Sequence, residues 1–313
     1  MPSWKNGLPI SINSHADPET LYPVMQTHPW ILAIRPKTLG ISVVPVLVGT
    51  SLAWAETDII LLLPAIAALA AAILIQIGTN LYNDAADFER GADTPDRLGP
   101  ERATAQGWFS PAQVKRAALI SFSGAFVIGI YLAVVGGWPI IIIGLLSLLA
   151  GYAYTGGPKP IAYSASGELF VFIFFGLTAV GGSYYLQTSR LSAEALLCAG
   201  AIGLLAAAVL LVNNYRDLET DERAAKLTLT HYLGRERARQ LYILMLMLPF
   251  ALPVAFNHHY NGSWLIVLCL PFALWLLQRF STEPLGKGFN GILANTAKLQ
   301  LIYGALLSLG LLI

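Results

Sequence analysis

The sequence predicts an all-α membrane protein built as a bundle of nine transmembrane helices. Of its 313 residues, 56% are apolar and only 12% are charged, and a soluble domain usually carries about twice that charged fraction. The few charges are also unevenly spread, because they fall between long uncharged runs. A membrane-spanning helix needs about 20 mainly apolar residues, so the length of each run indicates how many spans it holds.

The uncharged runs give the number of predicted spans. Runs of the length of one span cover five segments, the last of them interrupted only by Lys298: 38–55, 59–83, 169–189, 195–215 and 288–313. Two longer runs, 117–158 and 240–278, have 42 and 39 residues and are each long enough for two spans. The first contains the turn-forming GGWP stretch at 136–139, and the second contains NHHYNGS at 257–263. Counting each long run as two gives nine spans.

The positive charges predict the orientation of the bundle. With the N-terminus inside, 17 of the 19 Lys and Arg residues fall in inside segments: 1–37, 84–116, 155–167, 216–239 and 279–290. Arg190 falls in an outside loop, and Lys298 lies within the last span. Because cytoplasmic loops collect Lys and Arg, the N-terminus is expected in the cytoplasm and the C-terminus outside.

Residues 1–30 are polar and contain no signal-peptide core, so we expect a mobile or surface-lying N-terminal arm. Residues 31–313 are then a single transmembrane domain. Cys198 and Cys269 lie alone in predicted spans and are expected to be core residues, without a disulfide or a metal role.

Two acidic clusters follow apolar spans and have similar spacing. The first reads NLYNDAADFERGADTPDR (80–97), and the second reads NNYRDLETDERAAK (213–226). Residues three or four apart share a helix face, which gives two polar stripes: Asn80, Asp84 and Asp87, and Asn213, Asp217 and Asp221. Four spans separate the stripes, which suggests an internal duplication with a site between the halves. Coincidence between two short stretches is the alternative.

Clustered carboxylates at the end of a span indicate a metal site. An ionisable group at membrane depth is costly unless it is paired or bound to metal, and neighbouring like charges raise each other's pKa. Oxygen ligands without clustered His or Cys select a hard cation, and Mg²⁺ binds through a few carboxylates together with substrate phosphates. The stripes therefore predict a Mg²⁺ site for an anion such as a diphosphate. A solvated helix end is the better interpretation for the glutamates of these segments: Glu89, Glu101, Glu219 and Glu222.

Basic residues on the same predicted side are candidates for binding that anion: Arg35, Lys37, Lys159, Arg216 and Lys226. Each one taken alone is also explained by the orientation rule. Together they predict a clamp that stabilises charge developing on a phosphate leaving group.

The motifs NDxxDxxxxxD at 83–93 and NNxRDxxxD at 213–221 resemble the two aspartate-rich motifs of the UbiA superfamily of intramembrane prenyltransferases. Five further blocks are similar to the members of that superfamily that prenylate 1,4-dihydroxy-2-naphthoate in menaquinone biosynthesis: RPKTLGISVVPVLVG (35–49), DTPDRLGPERATAQGW (93–108), YTGGPKPIAY (154–163), GELFVFIFFGLTAVGGSYYLQT (167–188) and KLTLTHYLG (226–234). The resemblance covers the chain from about Arg35 to its end. It implies that residues 31–313 form a prenyltransferase domain with its active site at the cytoplasmic side.

The resemblance also implies roles for individual residues. Mg²⁺ and catalysis are assigned to four aspartates: Asp84, Asp87, Asp217 and Asp221. Substrate binding is assigned to a wider set: Arg35, Lys37, Asn80, Asn83, Asp93, Tyr154, Lys159, Asn213, Asn214, Arg216 and Lys226. Four residues separate Tyr154 from Lys159, where the superfamily often has three. The SASGE segment ending at Glu168 also departs from the glycine-rich family pattern.

The implied reaction transfers a polyprenyl group from polyprenyl diphosphate to 1,4-dihydroxy-2-naphthoate, with loss of CO₂ and diphosphate, and gives a demethylmenaquinol. The expected setting is the bacterial cytoplasmic membrane, with membrane lipid around the bundle and without nucleic acid or an obligate protein partner. Another aromatic acceptor, such as 4-hydroxybenzoate, or a phytyl donor is the nearest alternative. A cation-coupled transporter would place its ionisable residues near the midplane instead. The DG-x2-AR signature of CDP-alcohol phosphotransferases is absent, because Ala follows Asp84.

Overall fold

The computed structural model describes residues 28–93, 97–256 and 259–313, and within these ranges its regular secondary structure is helical. Eleven helices follow in chain order: α1 (Pro29–Ile34), α2 (Pro36–Thr57), α3 (Leu62–Glu89), α4 (Pro111–Gly136), α5 (Trp138–Ala153), α6 (Gly167–Thr188), α7 (Ala193–Arg216), α8 (Leu218–Arg223), α9 (Leu229–Ala255), α10 (Asn261–Thr282) and α11 (Phe289–Leu311). The all-α prediction is confirmed for these residues. Most of the predicted N-terminal arm, residues 1–27, lies outside them.

Eight of the described helices are long and apolar enough to cross a membrane, so the predicted count of nine is not confirmed. The ninth predicted span corresponds to α5, which has 16 residues and is about 24 Å long at 1.5 Å per residue. That length falls short of a hydrocarbon core of about 30 Å. The helix ends early because the Gly-Gly-Pro segment at 156–158 cannot continue it.

Local sequence signals set the helix ends near the site. At the start of α4, the Ser110 side chain accepts from the Gln113 N–H, and the Gln113 side chain accepts from the Ser110 N–H. Such a reciprocal cap satisfies two otherwise unpaired donors. At the other end of α4, Gly137 has a φ of +69°, which favours glycine. The chain therefore reverses into α5 within the predicted GGWP break.

Helix α7 is the most deeply buried of the eight membrane-length helices that the structure describes. It packs against α2, α6, α9 and α11. Large apolar side chains on the outer faces of α4 and α5 are exposed, including Val134 and Leu149. This distribution fits a bundle whose outer surface contacts lipid and whose core is filled by helix-to-helix packing.

The first turns of α6 lead into a π-helical segment, Phe172–Thr178. Here α6 crosses α7 closely, because a Cβ at Gly176 would lie 2.4 Å from the Ala199 carbonyl oxygen. π-helical turns are often found at functional sites. This segment presents Phe174, Phe175 and Thr178 to the main cavity of the bundle.

Candidate active site

The bundle holds a cavity of about 1030 Å³, bounded by α2 to α7 and α11. Most of its wall is apolar, but one end carries polar and charged side chains: Arg35, Lys37, Asn80, Asn83, Asp87, Arg97, Arg102, Asn213, Arg216, Lys226 and Asn290. These residues come from both predicted acidic segments and from the loops beside them. The structure thus brings the two segments to one end of a single apolar chamber.

Asp84 is buried, and its carboxylate faces the loop before α4. Its Oδ2 accepts from the Ala103 N–H at 2.9 Å, and its Oδ1 accepts from the Thr104 N–H at 2.9 Å. The Thr104 hydroxyl lies 2.6 Å from the same Oδ1. Through these hydrogen bonds Asp84 holds the loop on α3. The metal-binding role that the family motif implied for Asp84 stays a prediction.

Asp87 lies one helical turn further and lines the cavity. Its Oδ2 is 3.4 Å from Arg102 Nη2, and its Oδ1 accepts from the Tyr163 hydroxyl at 3.0 Å. The Tyr163 ring packs between Arg90 and Lys226, at 5.5 and 6.0 Å from its centroid. Burial, followed by the nearby Asp87 charge, raises the pKa of Tyr163. The tyrosine therefore remains a hydrogen-bond donor to the carboxylate.

Two asparagines of the first acidic segment, Asn80 and Asn83, position the polar groups around Arg35. Asn83 Oδ1 accepts from Arg35 Nη2 at 3.1 Å and from Arg102 Nη1 at 2.7 Å. Asn80 Nδ2 donates to the Ile34 carbonyl oxygen at 2.9 Å, just before Arg35. The two amides thus fix the chain and the guanidinium at the start of α2.

Asp93 lies in the loop after α3, and its side chain is buried. It forms ion pairs with Arg97 and with Arg102, whose Nε lies 3.5 Å away. Burial raises the pKa of Asp93 to about 6, with Asp87 and Asp84 contributing and Arg97 opposing. Its Oδ2 is buried without a hydrogen-bond partner, so this oxygen has capacity for a further ligand.

In the second stripe, Asp217 is paired with the neighbouring Arg216, whose Nε lies 2.7 Å from Asp217 Oδ1. The same guanidinium donates to Asn213 and Asn290 at 2.8 and 2.7 Å. Asn290 in turn donates to the Leu98 carbonyl oxygen at 2.8 Å. Arg216 therefore ties α7 to α11 and to the loop after α3.

Asp221 follows on α8 and is paired with Lys226 at 3.2 Å. Burial raises the pKa of Asp221 to about 6, and Asp217 and Asp87 add to the effect while Lys226 opposes it. Its Oδ2 is buried and unpartnered. Each acidic segment thus contributes one buried carboxylate oxygen that no described donor satisfies.

Three expected substrate-binding residues have different surroundings. Tyr154 lines the cavity, whereas Lys159 is exposed and does not line it. Asn214 is buried behind the polar end, where its Nδ2 donates to Glu168 Oε1 at 2.9 Å. The structure therefore does not bring Lys159 into the site with the aspartates.

Four further residues belong to the polar end but were not selected from the sequence: Arg97, Arg102, Tyr163 and Asn290. The first three lie within sequence blocks that carried the family resemblance, so closer attention to their polar residues would have found them. No motif or spacing near Asn290 in the sequence indicates that it belongs to the site. It is 74 positions from Arg216, and only the packing of α11 against α7 places it there.

The carboxylates have the chemistry that Mg²⁺ prefers. Within residues 28–93, 97–256 and 259–313, no group of three acidic, His or Cys side chains is close enough to form a ready-made metal centre. The unpartnered Oδ2 atoms of Asp93 and Asp221 nevertheless fit a cation that also takes oxygens from a bound substrate. The residues present therefore suit a metal held jointly with an anionic ligand.

The structure is a helical bundle with membrane-length helices and an apolar chamber that is charged at one end, an arrangement that suits an amphipathic anion. The chain belongs to the UbiA prenyltransferase family, whose model matches residues 42–283. It is 35% identical to 1,4-dihydroxy-2-naphthoate octaprenyltransferase of Escherichia coli over 92% of this chain and 96% of the relative. It is 36% identical to the Mycobacterium tuberculosis enzyme of the same name, over 88% of this chain and 93% of the relative.

The fold is also that of a solved structure. A UbiA homolog from Archaeoglobus fulgidus, bound to DMAPP and Mg²⁺, superposes with a TM-score of 0.64. The match covers 90% of this chain and 99% of the homolog, at 16% identity. At that identity the likeness concerns the fold, and the fold is UbiA-like.

Proposed function

We propose that this chain transfers a polyprenyl group from polyprenyl diphosphate to 1,4-dihydroxy-2-naphthoate, with release of CO₂ and diphosphate, to give a demethylmenaquinol for menaquinone biosynthesis. The observation that carries the proposal is the cavity of about 1030 Å³, which combines an apolar chamber with an end that carries basic and acidic side chains. Such a cavity suits a ligand with an apolar chain and a diphosphate head. The choice of acceptor is based on the two relatives named 1,4-dihydroxy-2-naphthoate octaprenyltransferase, which match over most of both chains.

The diphosphate is assigned to the polar end. Arg97, Arg102 and Lys226 line the cavity there, and each forms an ion pair with an aspartate. Arg35 also lines it but has no carboxylate partner among the described ion pairs. Its guanidinium is held by Asn83 and is available to an entering anion. We assign Arg35 to substrate charge, either the diphosphate or the acceptor carboxylate.

Four residues are proposed to hold Mg²⁺: Asp87, Asp93, Asp217 and Asp221. When bound, Mg²⁺ neutralises the negative charge that collects on the diphosphate as it leaves. Asp84 is given a different role, because its oxygens accept from the fixed backbone N–H groups of residues 103–104. Asp87 and Asp217 instead accept from side chains, which can turn towards a bound diphosphate. Asp84 is a positioning residue that fixes the loop carrying Arg97 and Arg102.

The remaining groups support the chemistry through their placement. The C1–O bond of the donor breaks, and its electron pair leaves with the diphosphate, so an allylic cation develops at C1. The apolar wall excludes water that would capture this cation, and the rings of Phe170, Phe174 and Tyr154 line the chamber where they can stabilise it. The ring carbon bearing the carboxylate attacks C1, and loss of CO₂ restores the aromatic ring.

We further propose that α5, although shorter than the eight membrane-length helices, is a ninth span, and that residues 31–313 form one domain. Tyr152 at the end of α5 packs against Tyr82 near the end of α3, with ring centroids 5.1 Å apart. Helix α5 thus returns from the far side of the bundle to the level of the acidic clusters. With nine spans, the charge distribution favours a cytoplasmic N-terminus and an active site at the cytoplasmic side of a bacterial inner membrane.

The test uses purified protein in nanodiscs with a polyprenyl diphosphate, Mg²⁺ and either 1,4-dihydroxy-2-naphthoate or 4-hydroxybenzoate. Prenylated product and CO₂ are expected with the naphthoate alone, and EDTA should abolish turnover until Mg²⁺ is restored. Turnover of 4-hydroxybenzoate instead would keep the reaction class and overturn the acceptor. Absence of turnover with both acceptors, by protein that remains folded, would overturn prenyl transfer.

A further inference from the structure

A second cavity of about 250 Å³ lies between α2 and α11, near the start of α2. Its apolar wall consists of small or aliphatic residues, Gly40, Ala294, Ala297 and Leu301, and two lysines border it, Lys37 and Lys298. Pro36, Lys37 and Ala294 also border the main cavity, whereas Gly40, Ala297, Lys298 and Leu301 border only this second cavity, which we call the groove. The groove therefore adjoins the proposed substrate entrance but has a wall of its own.

The packing of α2 on α11 places the two lysines at the same height along the bundle. A Cβ at Gly40 would lie 3.7 Å from Leu301 Cδ1, and Gly304 packs directly against Val44. The two helices thus run parallel in a fixed register. Lys37 precedes Gly40 by three residues, and Lys298 precedes Leu301 by three residues, which is about one helical turn in each helix. The two lysines therefore border the groove at the same level, and Ala294 lies about one turn before Lys298.

Neither lysine has a partner within the described ranges. Both side chains are exposed, and the ion pairs and side-chain hydrogen bonds of residues 28–93, 97–256 and 259–313 include neither of them. Helix α2 begins at this point without a side-chain cap, so its positive end adds to the same field. The level of the groove that the two lysines border therefore favours an anion.

The position of Lys298 points to the source of that anion. It lies in a helix apolar enough to span a membrane, Phe289–Leu311, where an unpaired charge is costly. A lysine at such a position extends its side chain towards the lipid headgroups. Basic pockets between transmembrane helices at this level bind anionic headgroups.

We propose that the groove between α2 and α11 binds an anionic phospholipid of the surrounding membrane. Its phosphate lies between the two lysines, and an acyl chain follows the apolar wall along Gly40, Ala297 and Leu301. This inference depends on the membrane-spanning fold and does not depend on prenyl transfer. It assigns a role to Lys298, which is the one charged residue of the otherwise uncharged segment 288–313.

The test measures retained lipid on delipidated protein by native mass spectrometry, after incubation with vesicles of phosphatidylglycerol or phosphatidylcholine. We compare the wild type with Lys298→Gln, with Gly40→Leu, which fills the groove without changing charge, and with Lys287→Gln. Lys287 is an exposed lysine outside the groove and is the matched control. Thermal unfolding of each variant in phosphatidylcholine nanodiscs verifies that the bundle is intact.

One phosphatidylglycerol should remain bound to the wild type and to Lys287→Gln, whereas phosphatidylcholine should be lost. Loss of one lysine near an anionic headgroup weakens binding about fivefold, so Lys298→Gln should show that decrease, and Gly40→Leu should also reduce retention. Equal retention by Lys298→Gln and Lys287→Gln would overturn the proposal. Displacement of the lipid by millimolar inorganic diphosphate would also overturn it, because the lysines would then belong to the substrate entrance.

Discussion

The carboxylate of Asp84 binds the backbone and the side chain of Thr104. The Thr104 N–H donates to Asp84 Oδ1 at 2.9 Å, and the hydroxyl lies 2.6 Å from the same oxygen. The segment held in this way contains Arg102, which contacts Asn83 and Asp87. One acidic residue of the first motif thus organises a loop that supplies cations to the others.

Asp84→Asn is expected to weaken substrate binding without changing the metal requirement. The amide offers one acceptor and turns a donor towards a backbone N–H, so a buried donor loses its partner at a cost of about 1–3 kcal/mol. We expect KM for both substrates to rise while the Mg²⁺ concentration for half-maximal activity stays constant. Steady-state kinetics at varied Mg²⁺ measure both quantities.

Thr104→Ala is the matched variant for this test, because it removes the hydroxyl at the other end of the contact and leaves every acidic residue in place. It should raise KM in the same direction as Asp84→Asn. The assignment would be wrong if Asp84→Asn needed a much higher Mg²⁺ concentration for half-maximal activity and Thr104→Ala did not. Asp84 would then be a metal ligand.

Asp221→Asn is expected to remove most activity. The substitution replaces one of the two unpartnered carboxylate oxygens of the site with a neutral group. Loss of a metal contribution of several kcal/mol corresponds to a decrease in kcat on the order of a thousandfold. Glu222→Gln is the control, since Glu222 is the next residue but is exposed. Similar kcat values for the two variants would contradict the assignment of Asp221.

Tyr163→Phe isolates one hydrogen bond to Asp87. The ring stays between Arg90 and Lys226, but the donor 3.0 Å from Asp87 Oδ1 is lost. A hydrogen bond to a charged group contributes about 1.5–3 kcal/mol, so kcat/KM should fall about 10- to 100-fold. The exposed Tyr232 provides the control, Tyr232→Phe. A kcat/KM equal to that of the control would show that Asp87 needs no donor here.

Gly176→Ala tests the close crossing of α6 and α7. The new Cβ would lie 2.4 Å from the Ala199 carbonyl oxygen, so the helices must separate, and overpacking of this kind costs about 1–3 kcal/mol. A lower Tm in thermal unfolding is the expected result. Gly200→Ala is the matched control, because a Cβ there meets nothing within 4 Å. Equal Tm values for the two variants would mean that α6 and α7 can separate at this crossing without loss of stability.

The helices were predictable because their signals are local. The uncharged runs end at charged residues or turn-forming stretches, and the structure has a helix over each run. The exception in length is α5, which the Gly-Gly-Pro segment after Tyr154 shortens to 16 residues. An uncharged run indicates the segment in which a membrane helix can form. The helix itself ends at the first residues whose backbone cannot be helical.

The site was predictable only in part. The spacing of Asp217 and Asp221 identified the second acidic segment, and both residues lie at the polar end of the bundle near Lys226. In the motif, Asp84 and Asp87 have equivalent roles, although their side chains face different surroundings. A helical stripe specifies a shared face, but the loop that folds over it decides which carboxylate accepts from backbone N–H groups.

The sequence by itself determined the membrane-spanning helical class, the family and the two acidic segments, because composition, run length and motif spacing are properties of neighbouring residues. The tertiary structure decided which residues meet. It brings Asn290 into hydrogen-bond contact with Arg216, and Arg102 into contact with Asp87. Lys159 lies outside the cavity. Such contacts depend on the packing of helices and the closure of loops between distant parts of the chain, and no local pattern encodes them.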